Sequence, residues 1–151
     1  MELRDILLVV HIAAAGTWLG ANVMQAMVPS LAARQSPQAA AGWYRVTAQL
    51  STRLYMPVGI VVLITGVGIV LIGNDFSFAD AFVGIGFTMV VIGALLGKFV
   101  FEPGSKRAAE AVESGDKGAI RAAAGRLAAF GTVDTLLLVF TITAMVLRLG
   151  T

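Results

Sequence analysis

The chain has one histidine, His11, and that side chain is the first candidate for chemistry. Imidazole ligates haem iron, copper or zinc, and it exchanges protons near neutral pH. Met89 and Met145 fall toward the same end of their apolar segments as His11, which makes a His/Met set for haem b or copper one expectation. The plainer expectation is a neutral histidine bonded across helices to Thr141, Thr143 or a carbonyl, with both methionines filling apolar packing. A bis-histidine haem requires two copies of the chain. Cysteine is absent, so disulfides, thiolate catalysts, iron–sulfur clusters and thiolate zinc sites are excluded. Asp134 is the second candidate, a carboxylate in an otherwise apolar stretch. With Lys98 it makes either a proton or substrate path or a structural ion pair, and the ion pair is the preferred reading. No HExxH, GxSxG, nucleotide or paired-carboxylate motif is present.

The elements that must position these residues are membrane spans. Of 151 residues, 58% are apolar and only 13% charged, against roughly 45–50% and 25% in soluble domains. This balance excludes disorder, an ordinary water-facing globule and a nucleic-acid surface. Stretches 6–27, 54–74 and 81–101 each supply the ~20 apolar residues that a ~30 Å hydrocarbon layer demands. A fourth, 130–149, contains Asp134. The expected fold is a single all-α domain, an antiparallel four-helix transmembrane bundle. The first stretch lacks a basic leader and a small-residue cleavage site, so it reads as a retained helix.

Nine of the eleven Lys and Arg residues fall in the first and third connections and their flanks; only Arg4 and Arg148 lie on the other side. By the positive-inside rule both termini face outward across an inner (cytoplasmic) membrane. Pro29 is expected to end the first helix, and Ser36-Pro37 to cap a second that runs through Arg53 into the next span, bending near Pro57. Ser77 with Asp80 looks like a cap for the third span. Pro103-Gly104 should interrupt that helix, and residues 114–118 should turn. Trp43 and Tyr44 suit an interfacial segment, and residues 105–126 a solvated helical hairpin.

Seven-residue spacing puts Arg4, His11, Trp18 and Gln25 on one face of the first helix, and Asn22 joins them. On the fourth, Asp134, Thr141, Met145 and Arg148 share a face. These polar rows should point inward, since polar groups in hydrocarbon need partners. The expectation is a cluster of Asp134 with Asn22, Gln25 and one cation, Lys98 or Arg53, and Arg148 near Glu2 and Asp5. Trp18 either fills the core or flanks a planar ligand. Gly16–Gly20 and Gly93–Gly97 are GxxxG pairs, and Gly59, Gly66 and Gly73 form a heptad row. Internal packing is the first reading of these glycines. A homodimer seam at Gly16 and Gly20 is the other, and it points away from His11.

Residues 7–23, LLVVHIAAAGTWLGANV, place Trp18 seven residues after His11 and then x-Gly at Gly20. This pattern resembles the first helix of a group of small bacterial membrane proteins. The group comprises the CopD-like copper-resistance family, uncharacterised four-helix relatives and HemJ-type protoporphyrinogen oxidases. Residues 51–71, with Arg53 before the span and Thr65-Gly66 within it, are similar to the group's second helix, and residues 142–150 to its closing helix. The resemblance implies a haem or copper association through His11. ANVMQAMVPSLAAR does not reproduce the Tyr-x-Pro-Arg-like run of HemJ-type proteins, and their catalytic lysine is not carried over to Lys98. The resulting expectation is a small, non-catalytic membrane protein or assembly subunit whose partners are lipid and a second copy or a larger membrane complex. A His11-based redox protein and a HemJ-like oxidase or transporter are the alternatives.

Overall fold

The computed structural model describes residues 2–73 and 75–150. All regular structure among them is helical: α1 (Leu3–Gln35), α2 (Pro37–Leu50), α3 (Met56–Ile72), α4 (Ala81–Leu96), α5 (Glu102–Ser114) and α6 (Lys117–Val146). Two π turns, Ser51–Tyr55 and Gly97–Phe101, join α2 to α3 and α4 to α5. The result is four continuous rods, Leu3–Gln35, Pro37–Ile72, Ala81–Ser114 and Lys117–Val146, each long and apolar enough to cross a membrane. At 1.5 Å per residue even the 30 residues of the last reach roughly 45 Å, beyond a ~30 Å hydrocarbon layer.

Proline placement explains most of these boundaries. Pro29 does not end α1 but lies inside it. One N–H is lost to the Gln25 carbonyl, and the bonds on either side carry the helix onward. The stop comes at Ser36, held extended (φ −169°, ψ 159°) by the proline that follows. The Ser36 hydroxyl then accepts from the Ala39 N–H at 3.0 Å and caps α2, with Pro37 in its first turn. Pro103 likewise fails to interrupt its helix. In both long rods the carbonyl that a proline ring would strike belongs to the middle of a π turn, Arg53 for Pro57 and Phe99 for Pro103. The wider turn, closed by Met56 N–H to Ser51 and Glu102 N–H to Gly97, lets the helix continue.

Other boundaries follow from caps. Asp80, not Ser77, is the N-cap of α4, and its carboxylate accepts from the Ser77 N–H at 2.8 Å. Gly115 takes a left-handed conformation (φ 71°) that ends α5, and Asp116 caps α6 through the Ala119 N–H. The fourth rod stops at Val146 rather than 149. Arg148 is left-handed (φ 50°), and the Leu149 N–H returns to the Ala144 carbonyl at 3.0 Å, a Schellman closure. The far end of the 54–74 stretch, Asn74, lies outside the described residues; α3 itself ends at Ile72.

Many large apolar side chains face outward, and alanine and glycine share the interior with Trp18, Phe82, Met89 and Leu138. Ile12, Ile64, Leu71, Val91 and Leu136 are all exposed, while the interior holds small residues such as Ala14, Gly59, Gly93 and Ala144. Exposed apolar side chains and small residues between helices suit a hydrocarbon solvent, in which close backbone approach helps hold helices together.

The segment expected to be a solvated hairpin is half interior. α5 lays Ala108 and Ala109 on α2, against Tyr44, and Ala111, Ala40, Ala41 and Ala48 are buried too. Tyr44 is therefore buried between α2 and α5. The alanines allow the two helices to approach closely, and an exposed Arg45–Glu113 ion pair closes the edge. Ala108 is 1% exposed, so Ala108→Leu should overpack this contact and lower stability by about 1–3 kcal/mol. Glu113→Ala, at an exposed pair, should cost less than about 1 kcal/mol. Thermal unfolding in mild detergent, followed by circular dichroism, checks the order.

Candidate functional site

The polar face of α1 docks residue by residue on α3. A Cβ at Gly73 would lie 3.5 Å from Arg4 Nε, one at Gly66 3.2 Å from His11 Cε1, and one at Gly59 3.6 Å from Trp18 Cζ3. The seven-residue row Arg4, His11, Trp18 thus sits over the seven-residue row Gly73, Gly66, Gly59. A Cβ would crowd His11 at Gly66, while at Gly73 and Gly59 it would stand in ordinary contact with Arg4 and Trp18. Trp18 is held on both sides, because a Cβ at Gly93 of α4 would overlap its indole. Gly93 is therefore a seat for a ring rather than half of a backbone-contact motif. Gly97 faces Ser51, whose Cβ would lie 3.5 Å from its own, and this pair brings the two π turns together.

Beside Trp18 lies the polar cluster. Asp134 of α6 is 3% exposed. Its Oδ2 accepts from Asn22 Nδ2 at 2.7 Å and from Trp18 Nε1 at 3.3 Å. Asn22 Oδ1 accepts from the Tyr55 hydroxyl at 2.8 Å, and the Tyr55 oxygen accepts from Gln25 Nε2. The carboxylate fixes the Asn22 amide orientation, since only its NH₂ can donate there. The predicted trio of Asp134, Asn22 and Gln25 is thus brought together, but Gln25 reaches it through Tyr55. The expected cation is not part of it. Among the described residues no ion pair joins Asp134; Lys98 instead binds Glu102 at 3.3 Å, which also holds Lys106 at 2.8 Å, and Arg53 is exposed. The long Lys98 and Arg53 side chains are exposed at the surface, and two neutral donors take the cation's place. Asp134 Oδ1 is buried with no partner.

His11 is not bonded to Thr141 or Thr143, whose hydroxyls turn back to the carbonyls of Leu137 and Val139 on their own helix. Its Nδ1 lies 3.0 Å from Thr65 Oγ1 on α3, and the Thr65 hydroxyl donates to the Val61 carbonyl at 2.6 Å. A hydroxyl has one proton, so toward His11 it accepts. Nδ1 therefore carries the imidazole proton and Nε2 keeps a lone pair.

The methionines do not complete a ligand set with His11. Met89, 4% exposed, packs with Trp18 and Leu138, and Met145 fills the space over Gly86 beside Phe82 and Val83. Among the described residues no three His, Asp or Glu side chains converge. The described residues offer one imidazole and no His/Met pair.

At the far end of α1, Arg4 pairs with Asp75 at 3.1 Å, and Arg4 and Arg148 both lie over the Phe76 ring, at 5.8 and 5.0 Å. Arg148 is thus engaged with the 73–80 connection rather than with Glu2 and Asp5, which bond each other. Gly16 and Gly20 meet nothing within 4 Å, so internal packing is not their role. Tyr55 and Thr65 are the neighbours that spacing alone missed, whereas Gly86, which continues the Gly93–Gly97 row, was legible by spacing. Tyr55 carried a usable signal, an amphipathic ring at the charged end of an apolar run.

Comparison of the chain with protein-family models, with curated proteins and with solved structures found no match.

Asp134→Leu removes the acceptor from two buried donors and should lower stability by about 1–3 kcal/mol. Asp134→Asn keeps a carbonyl oxygen for them and should lose distinctly less. Unfolding of both variants in detergent checks this, and equal losses would contradict the donor assignment.

Proposed function

We infer that this chain is a four-span integral protein of an inner (cytoplasmic) membrane, of the CopD/HemJ-like kind, working as a non-catalytic subunit of a homo-oligomer or larger membrane assembly. The bundle is antiparallel and both termini lie outside. Arg4 over Gly73, His11 over Gly66 and Trp18 over Gly59 support opposite chain directions for α1 and α3. The basic residues gathered around α2, α5 and the π turns support that end as cytoplasmic.

One observation carries the subunit reading. α1 presents Ala13, Gly16, Thr17 and Gly20 outward together, all exposed, with open space where Gly16 and Gly20 would carry a Cβ. The opposite face of the same helix is committed to α3. Small residues on a lipid-facing stripe let a further helix approach closely. Because the chain has no cysteine, single cysteines report cleanly. Gly16→Cys and Gly20→Cys should form disulfide-linked pairs in native membranes under oxidation, while Ile64→Cys, on the outer face of α3, should not. Cross-linking that is equal at all three positions, or absent at all, would contradict the subunit reading. Ser77→Cys should react with an impermeant maleimide from outside and Ser114→Cys only after permeabilisation.

A second reading has its own support. The His11 tautomer leaves Nε2 with a lone pair, the form in which imidazole ligates metal. Here His11 would hold haem b or copper, which would supply electron transfer, with remaining ligands from a second copy or partner chain. Protein purified from membranes grown with copper and a haem precursor should then show a Soret band or bound copper. Thr65→Val should weaken that signal, and His11→Ala abolish it. A colourless, metal-free preparation excludes this reading.

A further inference from the structure

α3 and α4 touch sparingly, because Trp18 stands between them. On their outer side this leaves a groove of ≈ 150 Å³ floored by Trp18. It is polar at one end only. Ser51, Thr52 and Lys98, all from the two π turns, make that end; Ile60, Leu63 and Val90 line the rest. Residues 52 to 63 place the two ends roughly 16 Å apart along the rod Pro37–Ile72 at about 1.5 Å per residue. The flanking surface, Met56, Val91 and Leu95, is exposed and apolar, so the groove opens sideways.

Its polar end is positive. Glu102 is shared between Lys98 and Lys106, one carboxylate against two ammonium groups, and the Lys98 side chain stays 64% exposed. Arg53, in the facing π turn, is also exposed.

We propose that this groove is a binding site for one anionic glycerophospholipid of the leaflet on the α2/α5 side, its acyl chain along Ile60, Leu63 and Val90 and its phosphate at Lys98, Ser51 and Thr52. This rests on the membrane-spanning reading given above. The apolar body excludes a soluble anion, and the cationic end selects an acidic headgroup over a zwitterionic one. A neutral acyl chain packing against any hydrophobic flank would show no such choice. Trp18 forms the floor, so the bound chain touches the ring whose N–H reaches Asp134.

The test uses Trp18 as a reporter. Trp43→Phe leaves it the sole tryptophan, and Trp43 Nε1 has no partner to lose. The protein is reconstituted in phosphatidylcholine vesicles containing a minor, rising fraction of phosphatidylglycerol with brominated acyl chains, or the same fraction of brominated phosphatidylcholine. Quenching of Trp18 should saturate early with the anionic lipid and show about a five-fold preference for it, the equivalent of roughly 1 kcal/mol for one basic residue at an anionic leaflet. Lys98→Gln should erase the preference, and Ile60→Phe, which fills the groove, should reduce quenching by both lipids. Equal quenching by both lipids, or a preference that survives Lys98→Gln, overturns the proposal. Native mass spectrometry of the unmutated protein gives an independent readout. Retained phosphatidylglycerol supports the proposal, and retention equal to that of phosphatidylcholine overturns it. Failure to enter vesicles at all would instead overturn the membrane reading.

Discussion

Trp18 can stand between α3 and α4 only because Gly93 carries no side chain, and it lies in contact distance of Gly59 on the other side. Seven residues outward His11 lies close over Gly66, where a Cβ would be crowded, and seven further Arg4 lies in contact distance of Gly73. Burial of apolar surface gives no net drive for helix association in hydrocarbon, so shape complementarity and hydrogen bonds must supply it. A row of large side chains on a row of glycines supplies the shape. It also fixes the register of α1 on α3, because a shift of one turn would drive an indole or a guanidinium against an isoleucine or a valine. The two rods then hold their polar groups at matching heights, His11 at Thr65 and Gln25 at Tyr55.

The cluster around Asp134 depends on that register. Asn22 lies one turn beyond Trp18 on α1, and both donate to the same carboxylate oxygen of α6. Tyr55 enters from the first π turn, where the widened backbone also accommodates Pro57. One buried carboxylate therefore joins three of the four rods without a cation. The remaining rod, Ala81–Ser114, enters through the Gly93 seat and Met89, which packs with Trp18 and Leu138. The groove outside Trp18 and the cluster inside it are two sides of one ring.

Much of this was legible in the residue order. The apolar stretches, the two heptad rows and the inward placement of Asp134 with Asn22 follow from composition and spacing alone. The partnership between the two rows did not, because each was read on its own helix. Matching seven-residue rows of large and absent side chains on successive spans is the signal that would have joined them. Pro29 and Pro103 misled because a long helix tolerates one missing N–H, and a π turn relieves the clash at the other. The expected cation at Asp134 failed for a physical reason. Lysine and arginine stems are long enough to leave the apolar layer, whereas an indole and an amide are already in place.

The seating of His11 over Gly66 can be measured directly by a double-mutant cycle on stability in detergent or bilayer, using Gly66→Leu, His11→Ala and the pair. If the large-on-absent arrangement holds α1 on α3, Gly66→Leu is strongly destabilising alone and His11→Ala relieves much of that loss, with a coupling of about 1–3 kcal/mol. Strict additivity of the two substitutions would contradict it.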